Sequence, residues 1–231
     1  MESIKRKQKE FDIDEFLKLE PPEAVLESAQ AYLKMMMCYR CAIKEVETKL
    51  QVLNEEFSLQ YNRNPFESIK SRVKSSYSIL EKLKRKGYEI SVKNIEESLD
   101  DVAGIRVVCS FIEDIYHIEK MLAKQDDIIV LERKDYIENP KPNGYRSLHL
   151  ILDIPIFLSD EKKHMKVEVQ FRTIAMDFWA SLEHKMKYKK DIEDAGEIAE
   201  ELRICAESIS EIDNKMQEIR NRIEKGKNPG K

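Results

Sequence analysis

The residue types best suited to chemistry lie between Lys166 and Arg172, in the run KVEVQFR. Apolar and polar residues alternate there, which predicts a strand with one buried face. Its other face presents Glu168, Gln170 and Arg172, spaced about 7 Å apart in steps of two. A carboxylate, an amide and a guanidinium in one row indicate a cleft for a charged substrate rather than a solvated surface. Thr173 then offers an N-cap side chain for a following helix.

A second carboxylate, Asp101, precedes a strand predicted from the alternating apolar residues of 105–111. Mg²⁺ usually binds one or two carboxylates and leaves its other positions to water and substrate phosphates. We therefore expect Asp101 and Glu168 to form a Mg²⁺ site between two strands. A cap or turn role is the alternative for Asp101, and Asp100 beside it keeps that choice open.

A basic patch covers residues 70–86, where one acidic residue stands against seven basic ones: Lys70, Arg72, Lys74, Lys82, Lys84, Arg85 and Lys86. Arg72 and Lys74 share one face at an edge strand predicted over 66–73, and a polar stripe continues along the helix predicted over 75–86. The members of this stripe are Lys74, Ser78, Lys82 and Arg85. Cations from two elements suit a polyphosphate, because Arg binds it bidentately and Lys adds a point charge. A solvated face is equally consistent with such a charge run.

The segment ENPKPNGYRSLH, residues 138–149, contains two prolines and an Asn-Gly pair, which predict an exposed turn. Tyr145 follows this turn, with Lys141, Arg146 and His149 around it. An exposed tyrosine among cations is suited to stacking a base while the cations bind phosphates. A plain hairpin is the alternative, and His149 taken alone is more often a structural histidine than a catalytic one.

The composition describes a charged, helix-rich globular protein. Of 231 residues, 42% are hydrophobic and 36% are charged, and the net charge of −4 argues against a general nucleic-acid coat protein. Four scattered cysteines and the lack of an apolar leader predict a cytoplasmic protein, and no run is long enough to span a membrane. Cys38 and Cys41 form a CxxC, but no second pair accompanies them, so helix packing is preferred over a metal or redox role.

Long helices flank these segments. A helix predicted over 23–59 carries the heptad stripe Ile43, Val46, Leu50, Leu53 and Phe57, which we expect to pack on another helix. Ile174, Phe178, Leu182 and Met186 repeat at helical spacing after the central strand. A last helix from Asp194 has a longer seam, expected to pair with the N-terminal helix, a partner subunit or both. Its members are Ile198, Leu202, Cys205, Ile209, Ile212, Met216, Ile219 and Ile223.

The remaining patterns complete a single-domain plan. They predict a helix over 113–124, strands over 127–133 and 147–154, and a polar turn over 159–164. The predicted organisation is a mobile arm (1–20), one domain (21–225) with a catalytic core at about 65–190 between helices 23–60 and 194–224, and a disordered tail (226–231).

Three stretches together resemble the synthetase domain of RelA/SpoT-type guanosine penta/tetraphosphate synthetases: DVAGIR, KDYIENPKPNGYRSLH and EVQFRTIAMDFWASLEH. The flanking helices fit the single-domain small alarmone synthetases. No stretch resembles the histidine-and-aspartate hydrolase domain of the long enzymes. The resemblance implies an α/β (α+β) fold similar to nucleotidyltransferases, with a mixed sheet of about five strands surrounded by helices.

The resemblance also implies a reaction, the transfer of the β,γ-pyrophosphate of ATP to the ribose 3′-OH of GTP or GDP with release of AMP, in the stringent response. Glu168 is the implied general base, with His149 beside it, and Asp101 and Glu168 the implied Mg²⁺ ligands. The implied ATP-binding residues are Arg72, Lys74, Ser78, Lys82, Arg85 and Arg106. For the guanosine nucleotide, Tyr145 stacks the base, and the other implied residues are Lys141, Arg133, His149, Gln170 and Glu183.

Two other classes remain as alternatives. A catalytically silent nucleotide- or RNA-binding regulator on this fold would lack one carboxylate, whereas Asp101 and Glu168 are both present. A helical interaction protein would leave GYRSLH and EVQFRT unexplained. The resemblance further implies a homotetramer assembled through the terminal helices and no membrane partner; RNA binding is permitted without being indicated. Preference among GTP, GDP and GMP, and allosteric regulation, stay open.

Overall fold

The computed structural model describes residues 23–187 and 195–227. The predicted N-terminal arm, the predicted helix start at Asp194 and the last four residues of the tail lie outside these ranges. The elements follow in this order: α1 (Glu23–Tyr61), β1 (Phe66–Val73), α2 (Ser76–Lys86), α3 (Val92–Ser98), β2 (Ala103–Cys109), α4 (Ile112–Ala123), β3 (Ile129–Asp135), β4 (Leu148–Phe157), β5 (Lys162–Thr173), α5 (Ile174–Lys187) and α6 (Ala195–Lys227).

The five strands form one sheet in the order β1-β2-β5-β4-β3. β2 and β5 are parallel, and the other neighbouring pairs are antiparallel. The predicted mixed sheet is therefore confirmed, and the strand that follows Asp101 lies beside the strand that carries Glu168. None of the described helices has an apolar stretch sufficient to cross a bilayer.

The hydrophobic core lies between α1 and one face of this sheet. Val46, Leu50 and Phe57 of the predicted heptad stripe are buried, as expected. The helix that carries this stripe packs mainly on four strands, and it also contacts α3 and α4, where Phe57 meets His117, so the predicted helix–helix packing describes only part of its surroundings. The alternating residues of β2, β4 and β5 give the sheet a continuous apolar face, and that face offers the long helix more surface than a single helix would.

Local signals set several element ends. The side chain of Ser75 accepts a hydrogen bond from the Ser78 backbone N–H and caps α2, and Gly87 ends that helix at φ 75°. β5 begins at Lys162 because its hairpin with β4 pairs Phe157 with Lys162. The predicted polar turn over 159–164 is therefore shorter than expected.

The apolar stripe predicted on α5 is on the wrong face for the core. Ile174, Phe178, Leu182 and Met186 are all exposed, whereas Met176, Trp179 and Ala180 are buried. Thr173 sets this phase, because its Oγ1 accepts from the Met176 backbone N–H at 3.1 Å and starts the helix directly after β5.

The last helix, α6, lies mainly against α4 and α5 and not along α1. Ala206 packs with Trp179, whose indole Nε1–H donates to the Leu202 carbonyl at 2.9 Å. The Thr173 hydroxyl also donates to Asp213 at 2.6 Å. The C-terminal half of the predicted seam stays exposed at Ile212, Met216, Ile219 and Ile223. Within the described residues the seam of α6 therefore does not pair with the N-terminal helix, and a partner subunit is the predicted partner that is left.

A buried ion cluster joins α6 to the rest of the domain. The carboxylate of Asp114, in the first turn of α4, is fully buried. Arg63, in the segment after α1, donates to it at 2.6 and 2.8 Å, and Arg220 of α6 donates at 3.1 Å. One carboxylate therefore holds together α4, the segment after α1 and α6, which are distant from one another along the chain.

We expect Asp114→Asn to lower the free energy of unfolding by about 3 kcal/mol, because it removes the buried charge partner of two partly buried guanidinium groups and leaves them only the half-exposed Glu224. Urea unfolding followed by circular dichroism measures the change. Lys215→Ala is the control, since Lys215 and its partner Glu218 are 67% and 64% exposed and such pairs contribute little. Equal shifts in the two variants would contradict the importance of the cluster.

Candidate active site

The sheet face opposite α1 carries the predicted site in two rows that run across the strands. In the first row Arg72 of β1 pairs with Gly104 of β2, and Gly104 pairs with Glu168 of β5. The second row runs through Lys70, Arg106, Gln170 and His149 on β1, β2, β5 and β4. Paired residues on neighbouring strands point to the same face, so the register alone brings these polar side chains together.

A cleft of about 230 Å³ opens above these rows. The residues that line it are Lys70, Ser71, Arg72, Asp101, Gly104, Ile105, Arg106, Glu168 and Gln170. Gly104 sits between Arg72 and Glu168, and only the Arg72 carbonyl oxygen, at 3.9 Å, would contact a Cβ there. An alanine is thus tolerated sterically, whereas a long side chain at this position would fill the space between the guanidinium and the carboxylate.

Asp101 is paired with two lysines of the basic patch. Its carboxylate lies 2.5 Å from Lys74 Nζ and 2.7 Å from Lys82 Nζ. Burial opposes ionisation of Asp101, but the hydrogen bonds and charges of the two lysines outweigh it, so its pKa lies below the ordinary value. The carboxylate is therefore ionised at neutral pH and gathers cations from β1 and α2 at the mouth of the cleft.

Both oxygens of Glu168 are hydrogen-bonded. Oε1 lies 3.1 Å from His149 Nδ1, and Oε2 accepts from Gln170 Nε2 at 2.9 Å. Burial alone would raise the pKa of Glu168, but His149 and Gln170 more than compensate, and the pKa lies below its ordinary value. Glu168 is thus ionised at neutral pH, and the Asp101 charge acts on it from across the cleft.

Arg172 closes this arrangement into a ring. Its Nη2 donates to the Tyr145 hydroxyl at 2.9 Å and to Gln170 Oε1 at 3.1 Å, and the Tyr145 hydroxyl lies 2.8 Å from His149 Nε2. A guanidinium can only donate, so the Tyr145 hydroxyl oxygen and the Gln170 amide oxygen both accept from Arg172. The ionised carboxylate of Glu168 can only accept, so His149 Nδ1 donates to it, and in a neutral His149 the Nε2 atom accepts from the Tyr145 hydroxyl. Arg172 therefore fixes the orientation of the Gln170 amide, and Glu168 itself fixes the donor atom of His149.

The loop that carries Tyr145 packs against the C-terminal helices. Gly144, at φ 85°, is buried, and a Cβ there would come within 2.5 Å of the Ala206 Cβ on α6. Asn143 donates to Glu183 of α5 at 3.0 Å. The loop thus needs glycine both for its backbone conformation and for close contact with α6.

Cations and aromatic rings surround Tyr145 itself. The Lys141 ammonium lies 4.9 Å from its ring centroid and 4.5 Å from that of Tyr136, and Tyr136 also meets His149 edge to face at 5.2 Å. Lys141 is exposed, and the Arg172 guanidinium also lies 5.2 Å from the Tyr145 ring centroid, so the ring has two cations close to it.

The structure brings most of the predicted site residues to this face, with three at its margin or away from it. The Ser78 hydroxyl accepts from Ser75 within the α2 cap, and Arg85 is exposed one helical turn beyond Lys82. Arg133 stands opposite Leu150, a core residue, and its guanidinium binds Glu119 and Asp135. Arg133 therefore lies on the other face of the sheet, because the register pairs it with Leu150 and pairs its neighbour Lys134 with His149.

Four residues of this face were absent from the site that the resemblance implies, although the polar row had already placed Arg172 in a cleft. Lys70 lines the cleft, Tyr136 contacts Tyr145 and His149, and Arg172 and Asp177 interact at 2.9 Å. Lys70 and Arg172 carried a signal, since Lys70 belongs to the basic patch and Arg172 to the polar row. Tyr136 and Asp177 carried none, because they reach the site only through the folding of β3 and α5.

Cation binding by the two carboxylates is consistent with this geometry. The described residues contain no cluster of three or more His, Cys, Asp or Glu side chains that could hold a metal by itself. Mg²⁺ does not need one, since it binds with one or two carboxylates when phosphates and water complete its shell. Asp101 and Glu168 line the same cleft and are both ionised, so this donor set fits a phosphate-bound Mg²⁺.

Comparisons of the sequence and of the structure with known proteins point to the same family. A model described as a region found in RelA/SpoT proteins matches residues 71–193. The chain is 44% identical to the GTP pyrophosphokinase YwaC of Bacillus subtilis over 82% of its own length and 90% of the relative's. It is also similar to the crystal structure of small alarmone synthetase 2 from Bacillus subtilis, with a TM-score of 0.74 and 42% identity over 83% of this chain and 98% of that one. The structure of small alarmone synthetase 1 from the same organism, bound to its product pppGpp, gives a TM-score of 0.75 and 34% identity over 84% and 99%.

We expect Asp101→Asn to destabilise the protein at neutral pH and to lose this effect in acid. The folded-state pKa of Asp101 is below its ordinary value of 3.8, so the carboxylate stabilises the fold above 3.8, and this contribution disappears as the pH falls through the folded-state pKa. Urea midpoints of wild type and variant, measured from neutral pH to below 3.8, should converge in acid. Asp126→Asn, at an exposed position, is the control; a constant Asp101 difference at all pH values would contradict the ion-pair assignment.

Proposed function

The chain belongs to the RelA/SpoT family, and we propose that it is a (p)ppGpp synthetase that transfers the β,γ-pyrophosphate of ATP to the ribose 3′-OH of GTP or GDP. The observation that carries this proposal is one ionised carboxylate, Glu168, placed between a cationic cleft and an aromatic, cation-flanked loop. The cleft suits the triphosphate of the donor, and the loop suits the base of the acceptor. Two relatives that this chain matches over nearly their whole length are named GTP pyrophosphokinase and small alarmone synthetase, and these names support the same reaction.

The chemistry that this geometry supports is an in-line displacement at the β-phosphorus of ATP. Glu168 takes the proton from the 3′-OH, and the 3′-oxygen forms a bond to the β-phosphorus. The bond from that phosphorus to the α,β-bridging oxygen breaks, and AMP leaves with the oxygen. General base assistance of this kind is worth about 10²–10⁴-fold. Positioning and cations around the transferring group supply most of the remaining acceleration.

His149 and Gln170 prepare Glu168 for this role. They donate to its two oxygens and keep the carboxylate ionised, and the direction of these hydrogen bonds leaves its remaining lone pairs free for the 3′-OH. A carboxylate with a low pKa is a weak base, so the hydroxyl must be acidified at the moment of transfer. A Mg²⁺ ion held by Asp101 and Glu168 would supply that charge when bound, together with neutralisation of the phosphates.

The donor side is assigned to the basic residues of the cleft and the patch. Arg72 and Arg106 project from neighbouring strands, and Lys74 and Lys82 meet at Asp101. When the donor phosphates and their cation arrive, the two lysines can exchange the Asp101 carboxylate for phosphate oxygens without leaving a charge unpaired. We infer that this arrangement selects a polyphosphate over a nucleoside.

The exposed apolar residues of α5 and α6 support the further proposal of a homotetramer assembled through terminal helices. Phe178 and Leu182 on α5, and Ile212 and Met216 on α6, are exposed in the single chain although their spacing is that of a helix–helix seam. The four free cysteines agree with the proposed cytoplasmic location. Light scattering of the purified protein measures the assembly, and a monomer would contradict it.

The reaction itself is tested with purified protein, Mg²⁺, ATP and either GDP or GTP, with products separated by anion exchange. We expect AMP together with a guanosine nucleotide of higher charge. Glu168→Gln should reduce the rate by at least about 10²-fold while nucleotide binding persists, since only the proton acceptor is lost. The control is Glu45→Gln, at an exposed position on α1. Intact ATP with both nucleotides bound would favour the regulator alternative.

Tyr145→Ala should weaken binding of the guanosine nucleotide more than binding of ATP, because loss of base stacking on an aromatic ring costs about 1–3 kcal/mol per base. Equilibrium binding of GDP and of a non-hydrolysable ATP analogue measures the two effects separately. Tyr88→Ala, at an exposed position after α2, is the control. Equal losses for both nucleotides would contradict the stacking assignment.

A further inference from the structure

Asp177, on the first turn of α5, lies between two guanidinium groups that serve different halves of the cleft. Its Oδ1 accepts from Arg172 Nη1 at 2.9 Å and lies 3.3 Å from Arg106 Nη1. Arg106 lines the cleft on the donor side, and Arg172 binds Tyr145 on the acceptor side. Among the described residues, Asp177 is the one carboxylate within ion-pair distance of either arginine.

The two arginines need such a partner because they lie close together and are poorly hydrated. The side chain of Arg172 is only 6% exposed and that of Arg106 is 34% exposed. Burial and the charge of Arg172 lower the pKa of Arg106, and Asp177 counteracts part of this effect. Without Asp177 two like charges would face each other in a partly desolvated site, and Arg172 would lose its only anionic partner among the described residues.

We propose that Asp177 is a positioning residue for the acceptor nucleotide, and that it acts through Arg172 on Tyr145 and on the hydrogen bonds that orient Glu168. The inference rests on the proposed function, because it assigns Tyr145 to the guanine base. Asp177 itself touches neither the ring of Tyr145 nor Glu168. Its effect is to hold Arg172 in the one orientation from which Nη2 reaches both the Tyr145 hydroxyl and the Gln170 amide oxygen.

This role makes a distinctive prediction for Asp177→Asn. An amide keeps the size of the side chain but loses the charge, so Arg172 is held less firmly and the Tyr145 ring is less well ordered. GDP should therefore bind about tenfold more weakly. On the donor side, Arg106 loses a competing anion and the cleft becomes more positive, so a non-hydrolysable ATP analogue should bind as well as before or more tightly. General damage to the fold would weaken both nucleotides.

The route through Tyr145 is tested by a double-mutant cycle with Tyr145→Phe, which removes only the hydroxyl that Arg172 binds. If Asp177 acts through that hydroxyl, Asp177→Asn should lower GDP affinity by less than about threefold in the Tyr145→Phe background. Glu45→Gln on the far side of the sheet is the matched control, and its effects should be small and additive.

The measurements are equilibrium titrations of the full chain with a fluorescent GDP analogue and a non-hydrolysable ATP analogue, each in the presence of MgCl₂. Arg172→Lys gives a second, independent variant, since an ammonium cannot bind Asp177, Tyr145 and Gln170 together. It should also weaken GDP selectively. Equal weakening of GDP and ATP-analogue binding, or an undiminished effect of Asp177→Asn in the Tyr145→Phe background, would overturn the role of Asp177 but not the proposed function. A wild-type protein that binds neither nucleotide would overturn the proposed function and this inference with it.

Discussion

The register of the parallel pair β2–β5 is the constraint on which the rest of the site depends. It places Gly104 beside Glu168 and Arg106 beside Gln170, and the antiparallel neighbours extend each row to Arg72 and to His149. A slip by one residue would turn every one of these side chains into the core and bring Val107 and Val169 to the cleft. The burial of one set of alternating residues under α1 therefore also fixes the polar face, because the other set of side chains must point to the opposite face of the sheet.

The second feature of the site is that its charged side chains are already paired with one another before any ligand binds. Asp101 is shared by Lys74 and Lys82, Asp177 is shared by Arg106 and Arg172, and Glu168 is held by His149. Asp101 and Asp177 each keep two cations ordered without neutralising both of them. If the cleft binds a polyphosphate as proposed, phosphate oxygens replace carboxylate oxygens at the lysines and at Arg106, and much of the entropy cost of ordering these long side chains is already met in the free protein.

The proposed acceptor side depends on the C-terminal helices as well as on the sheet. Gly144 touches Ala206, Asn143 binds Glu183, and the cluster of Trp179 with Ala206 supports Tyr145 from below. α6 is in turn attached to β5 through Thr173 and Asp213 and to α4 through Arg220 and Asp114. The helices that expose the apolar seams are therefore the same helices that hold the Tyr145 loop, so the proposed assembly and the proposed acceptor site share one structural support.

The sequence by itself determined the central strand and its polar row, the cap at Thr173, the edge strand and helix of the basic patch, and the family. The family follows from three separated stretches taken together, whereas the other features are short-range patterns, in which neighbours along the chain decide the outcome. The tertiary structure alone decided which face of α5 is buried, that α1 packs on strands, that Arg133 faces away from the cleft, and that Tyr136 and Asp177 reach it. A periodic pattern specifies that a face exists but not the surface that will cover it. The ring through Glu168, His149, Tyr145 and Arg172 joins a loop and two strands, and such contacts exist only once the sheet has aligned them.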